Sequence, residues 1–161
     1  MSEWLSWRGL VLLVLANSTP VVVAWLAGAR AAWPLDFGLR SRDGERLLGA
    51  HKTWRGLLAA AIACGVAGAV MGLAAPACAG LGLLAMAGDA VSSFIKRRLR
   101  RRPGSWIPGL DQLPEALLPL LAGWRILELD AARFTGTLLA FTLLGMLASR
   151  TVGSSRRPRH S

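Results

Sequence analysis

The sequence predicts an all-α integral membrane protein of about five transmembrane helices, with its N-terminus outside and its C-terminus cytoplasmic. Three observations carry this expectation. The 161-residue chain is 53% hydrophobic, with a mean hydropathy of +0.45, more apolar than a soluble domain of this length ordinarily is. Its apolar residues gather in five segments. Its cations gather between alternate segments, giving a net charge of +10 from 19 Lys+Arg against 9 Asp+Glu. A nucleic-acid binder carries such charge on a polar fold, so that class is set aside and no nucleic-acid partner is expected.

The segments are residues 10–26, 57–74, 77–95, 113–127 and 134–148. A spanning helix needs about 20 mostly apolar residues, with a range of about 17–25. The first three meet this; the fourth, which holds Pro114 and Pro119, and the fifth are short on their own. Strict alternation of apolar and polar residues is missing, which excludes barrel strands. AAAIACGVAGAVMG and GLGLLAMAGDA are rich in Gly and Ala, and such surfaces let helix backbones approach closely in lipid.

Charge sets the orientation. The first loop, the third loop and the C-terminal tail carry 16 of the cations, and the other side only Arg8, Arg125 and Arg133. By the positive-inside rule the rich side is cytoplasmic. Removing one span would break the partition, so the charges support five. Residues 1–150 read as a single polytopic domain of the cell membrane, and 151–161 as a polar basic tail expected to be disordered. Ala29-Arg30-Ala31 offers a small-residue cleavage pattern. Yet Glu3 opposes Arg8 in the n-region and the apolar run continues through Pro20, so the first segment is expected to be retained. Cys64 and Cys78 have neither disulfide nor metal-ligand spacing and read as small core or lipid-facing residues.

The stretch GDAVSSFIKRRLRRRPGSWIPGLDQ places an acid inside an apolar segment, a block of six cations after it, and a second acid beyond. Asp89 is costly in a membrane, about 2.5–3.5 kcal/mol at a central position. It reads either as a structural acid paired with an arginine of a neighbouring helix or as a metal or proton site. On a helix, Asp89, Ser92, Ser93, Lys96 and Arg97 form one polar stripe. Arg98 and Arg100 to Arg102 read as topology and headgroup attraction. Pro103-Gly104 is expected to end the helix. Asp111 precedes Pro114 and reads either as a helix cap or as a partner meeting Asp89 across a short loop.

The first loop, LDFGLRSRDGERLLGAHKTWRG, has an Asp43-Gly44 turn signal. Gly49, Lys52, Thr53 and Gly56 suit a phosphate at a helix N-terminus, although the spacing is not that of a P-loop. Thr53 alternatively serves only as an N-cap. His51 has no partner His or Cys nearby and reads as an interfacial side chain. Two acids and several cations thus share one membrane face. Carboxylates with phosphate oxygens hold Mg²⁺, and Lys and Arg hold phosphates, so the face suits a nucleoside triphosphate and an anionic lipid.

These residues resemble the CDP-archaeol synthase family of small membrane cytidylyltransferases, related to the larger CDP-diacylglycerol synthases. The resemblance rests on Asn17 with Pro20, Pro34-Leu35-Asp36-Phe37-Gly38, Asp43-Gly44, Arg46, Gly49 and Lys52-Thr53-Trp54-Arg55-Gly56. It continues through Gly88-Asp89, Ser93-Phe94-Ile95-Lys96-Arg97-Arg98, Pro108 and Leu110-Asp111-Gln112-Leu113. It covers roughly residues 10–148. The larger relatives carry a His-Gly-Gly stretch before an Asp-Arg pair, where this chain has Pro108-Gly109-Leu110-Asp111-Gln112.

The resemblance implies that CTP and a lipid phosphate give a CDP-lipid and pyrophosphate, with Mg²⁺. The acceptor is an archaeal-type ether lipid phosphate or phosphatidic acid. Asp89 and Asp111 are the expected metal ligands and, with Lys96 and Lys52, the expected catalytic residues. Thr53, Ser93, Arg97 and Gln112 are expected to bind substrate; Asp36 and Asp43 either touch the nucleotide or only order the loop. A homodimer is open, since short spans can need a partner to close a site. A non-catalytic scaffold or anionic-lipid binder is the alternative, and explains the basic loops but not Asp89. A small transporter would need more polar residues deep in its spans.

Overall fold

A computed structural model describes residues 4–41, 44, 46–101, 107 and 109–154, with only the backbone given for 149–154. The expected turn at Asp43, the helix stop at Pro103-Gly104 and residues 155–161 of the tail lie outside the described residues. Among the described residues five helices follow one another: α1 Trp7–Ala27, α2 Trp54–Val70, α3 Ala75–Arg98, α4 Gln112–Ala122 and α5 Ala131–Ser154. Among the described residues there is no strand, only two isolated bridges, Pro34 with Thr53 and Arg40 with Arg46.

Local chemistry sets the ends. Ser6 caps α1, its side chain accepting from the Gly9 N–H at 3.2 Å, and Gly28 stops it at φ +54°. Pro20 lies inside α1. One turn earlier, Asn17 Nδ2 donates to the Leu13 carbonyl at 2.9 Å and Ser18 Oγ to that of Val14 at 2.7 Å. These two side-chain donors are thereby satisfied without water. Thr53 caps α2 by accepting from the Gly56 N–H at 3.3 Å. Asp130 accepts from the Arg133 N–H at 2.8 Å at the start of α5.

α1, α3 and residues 131–148 of α5 are long and apolar enough to cross a membrane. α2, at 17 residues, is about 26 Å long. The fifth segment, short by its apolar run alone, becomes a 24-residue helix, which starts earlier, behind the Asp130 cap, and runs on past residue 148. The fourth departs from expectation. α4 has only 11 residues, about 16 Å, and cannot cross alone. Gly123 ends it, and turns follow in which Leu127 N–H bonds to the Gly123 carbonyl and Leu129 N–H to that of Trp124. These turns bring Leu127 against Gly9 at the start of α1, so helix and turns together reach the far end of the bundle.

The surface is apolar where a soluble protein's is polar. Val21, Trp25, Ile62, Val70, Leu139 and Leu143 all face outward, as a bilayer requires. Inside, small residues set the spacing. A Cβ on Gly68 would fall 2.5 Å from Cys78, and one on Gly82 would fall 2.8 Å from the Ala60 carbonyl oxygen, so α2 and α3 lie nearly backbone to backbone. Cys64 and Cys78 are free and buried in this core.

Candidate active site

The site is built where the loop before α2, the C-terminal half of α3 and the start of α4 meet. Gly88 makes this possible. A Cβ there would lie 2.2 Å from the Pro114 carbonyl oxygen and 2.6 Å from Glu115 Cα, so α4 crosses directly over the backbone that carries Asp89.

Asp89 forms an ion pair with Lys52. The partner is a loop lysine, not the neighbouring-helix arginine expected of a structural acid. Two turns further along α3, Lys96 Nζ lies 2.6 Å from Asp111 Oδ1. Asp111 Oδ2 accepts from the Ile107 N–H at 3.0 Å. Asp111 stands at the start of α4 but makes no side-chain cap there. Its backbone is already helical rather than extended, so its carboxylate points back into the loop and across to α3. The capping reading is corrected by this geometry.

Asp89 and Asp111 do not touch as a bare pair; each holds a lysine. Between them lies Glu115, half-buried and within electrostatic reach of Asp89, Lys52, Asp111 and Lys96. Sequence reasoning missed Glu115, since an acid in the first turn of a helix needs no special explanation. The close packing at Gly88 is the signal that could have found it. Among the described residues no group of three or more His, Cys, Asp or Glu side chains could hold a metal by itself. Mg²⁺ is usually held by one or two carboxylates with substrate phosphates, so Asp89 and Asp111 fit that mode and do not form a ready-made cage.

Two cavities adjoin these pairs. The larger, about 470 Å³, is walled by Asn17, Pro20, Val21 and Ala24 of α1 and by Lys52, Thr53, Arg55 and Asp89, among others. The smaller, about 150 Å³, is lined by Leu48, Gly49, Ser93, Lys96 and Arg97. Both include His51 and Lys52. The stripe expected on α3 is therefore real: Asp89 faces one cavity, and Ser93, Lys96 and Arg97 face the other. Ser92 is fully buried and donates to the Asp89 carbonyl at 2.9 Å. His51, read from the sequence as an interfacial side chain, stands at the junction.

Other candidates sit elsewhere. Asp36 is 5% exposed, and its carboxylate accepts from the N–H groups of Gly38, Leu48 and Gly49 at 3.0, 3.2 and 3.2 Å. Burial works against its charge, but these three bonds and Arg46 outweigh that and hold its carboxyl below the ordinary range. Asp36 lines neither of these cavities, and its bonds tie together the loop at Gly38, Leu48 and Gly49. Gln112 is buried and accepts from the Gly109 N–H at 3.0 Å. A Cβ on Gly145 of α5 would meet it at 3.0 Å, and it too lines neither cavity. Asp43 lies outside the described residues.

Comparison with known proteins bears on this geometry. The profile of the CarS-like family, CDP-archaeol synthase, matches residues 7–79 and 77–150. The chain belongs to this family. It is 46% identical to the CDP-archaeol synthase of Methanopyrus kandleri over 103 residues, 57% of this chain and 60% of that protein. It is 36% identical to that of Thermococcus gammatolerans over 140 residues, 80% of this chain and 78% of the relative. The match thus spans about 60% of the length of the Methanopyrus relative. A solved structure, described as an intramembrane enzyme for archaeal membrane lipids biosynthesis, has a TM-score of 0.71 at 35% identity. That match covers 88% of this chain and 90% of that one.

Proposed function

We propose that this protein is a CTP-dependent cytidylyltransferase that converts a lipid phosphate to a CDP-lipid at the cytoplasmic face of the membrane, releasing pyrophosphate. The observation that carries this reading is the pair of adjoining cavities sharing Lys52. A transfer between two anionic substrates needs two phosphate-sized spaces meeting at one cation. The smaller cavity, with Ser93, Lys96 and Arg97, suits the phosphates of the nucleotide. The larger, with Val21 and Ala24 on its α1 wall, suits a lipid phosphate whose chains leave along α1.

In the step itself a lipid phosphate oxygen bonds to the α-phosphorus of CTP, and the bond from that phosphorus to the α–β bridging oxygen breaks. The nucleophile is already an anion, so the chain supplies position and charge rather than a strong base. Lys52 holds the acceptor phosphate against the donor. Lys96 and Arg97 stabilise the charge that builds on the departing pyrophosphate. Thr53, its oxygen engaged by the Gly56 N–H, keeps its hydroxyl proton to donate to phosphate. Asp89 and Asp111 would hold Mg²⁺, which supplies charge neutralisation on the phosphate oxygens.

The test uses purified protein, labelled CTP and Mg²⁺, offering an ether-linked lipid phosphate and phosphatidic acid separately. CDP-lipid from either supports the reading, and the ratio of rates names the acceptor. No product from either, in folded protein, overturns it.

A further inference from the structure

Two of the three cations on the side opposite the candidate active site converge on one cavity. Arg8, in the first turn of α1, and Arg133, in the first turn of α5, line a space of about 250 Å³ together with Leu5, Ser6, Leu127 and Glu128. α1 has 21 residues and is about 31 Å long, close to the thickness of a bilayer's hydrocarbon core. The cavity opens at the end of α1 away from the Lys52 site, so it belongs to the other leaflet. Trp4, Trp7 and Trp124 are exposed around the same end, the usual setting of a membrane–water interface.

The lining groups keep unused bonding capacity. Arg8 Nε is buried and has no hydrogen-bond partner, while its guanidinium lies 5.7 Å from the Trp7 ring centroid. Arg133 donates one bond, to the Glu128 carbonyl at 3.0 Å, and its Nε stands 3.7 Å from Asp130 Oδ2, beyond hydrogen-bond range. Both arginines thus line one cavity, at the positive end of α1, with donors to spare. Glu128 adds a carboxylate to the same cavity. Its backbone is left-handed at φ +51°, a conformation a non-glycine residue keeps only where its surroundings impose it.

We propose that this cavity binds a phospholipid headgroup carrying both a phosphate and an ammonium group, from the leaflet opposite the candidate active site. Arg8 and Arg133 hold the phosphate and Glu128 the ammonium. Arg133 also keeps its loose pairing with Asp130, so Arg8 is the stronger phosphate ligand of the two.

Native mass spectrometry of the detergent-purified protein with equimolar phosphatidylethanolamine and phosphatidylglycerol of matched chains tests this. The ethanolamine lipid is expected to be retained at least about threefold over the glycerol lipid. Arg8→Gln lowers retention of both about tenfold, and Glu128→Gln erases the preference while CDP-lipid synthesis stays at the wild-type rate. Arg125→Gln, on the same side but outside the cavity lining, changes neither. Equal retention of the two lipids by the wild type, or unchanged retention in Arg8→Gln, overturns the proposal. If Arg8→Gln does not fold, the surface variant Glu128→Gln decides: loss of the preference supports it, and persistence overturns it. Soluble phosphoethanolamine binding as tightly as the lipid would overturn the assignment to a membrane lipid.

Discussion

The ion pair between Lys52 and Asp89 ties the loop before α2 to the middle of α3, across 37 residues of sequence. It fixes Lys52, a cation that lines both cavities. Asp89→Asn removes its partner charge and the expected metal ligand together. CDP-lipid formation should fall by about 10²–10³-fold, the scale of losing one charge-stabilising group. Protein level in the membrane should be largely unchanged, as read by immunoblot. Near-normal synthesis would reduce Asp89 to a structural acid.

Glu115 stands among both ion pairs. Replacing it with Gln leaves its shape and removes one carboxyl group from the cluster proposed to hold Mg²⁺. The Mg²⁺ concentration giving half-maximal rate should rise several-fold, with protein folding intact by size-exclusion chromatography. An unshifted Mg²⁺ dependence would show that the carboxyl group of Glu115 takes no part in holding the ion.

The close crossing at Gly88 makes a contrast of two glycines informative. Gly88→Ala drives a methyl into the Pro114 backbone and pushes α4 off α3. Activity should be lost and the melting temperature should fall, since backbone cannot yield as a flexible side chain can. At Gly80, also in α3, a Cβ meets nothing within 4 Å. Gly80→Ala should be neutral or stabilising by up to about 1 kcal/mol. Similar melting curves for the two variants would contradict the packing.

Asp36 gives the first loop its own pH dependence. Its folded pKa is lowered, so its contribution is fully present above the unfolded value of about 3.9 and is lost as pH falls through the folded value. Corrected for intrinsic rates, exchange protection of the Leu48 and Gly49 amides should stay level from neutrality to about pH 5, and fall only below about pH 4. In Asp36→Asn that protection should already be weak at neutral pH and should not change in acid. A wild-type loop that loosens near pH 6 would point to a different titrating group.

Arg100 and Arg101 follow the end of α3 and line neither cavity. Replacing both with Gln should lower CDP-lipid synthesis less than about threefold, mainly through weaker attraction to anionic headgroups. Loss of all activity would give these charges a part in the reaction.

The number of helices and the polar stripe on α3 were legible because both rest on local periodicity and charge. Thr53 as a cap was legible for the same reason. The role of Asp111 was not. A cap and a cross-loop ion pair begin with the same residue before the same proline, and only the carboxylate's turn toward Ile107 and Lys96 separates them. Glu115 and His51 stayed hidden because their importance comes from what α3 and the first loop bring against them. Gln112 had a motif to recommend it, yet it is turned toward Gly145. The fourth segment misled by composition: its apolar run continues past Gly123, but the helix does not.

The shortness of α2 has a consequence for the surrounding lipid. At about 26 Å it is a few ångströms less than the hydrocarbon core it crosses, whereas α3 beside it exceeds that thickness. A bilayer meets a short helix by thinning beside it or by snorkelling of the flanking residues. Thinning would fall on the flank where the larger cavity opens at Thr53 and Gly56. A lipid headgroup there would sit lower, nearer to Lys52, and the elasticity of the bilayer would then do part of the work of bringing it to the site.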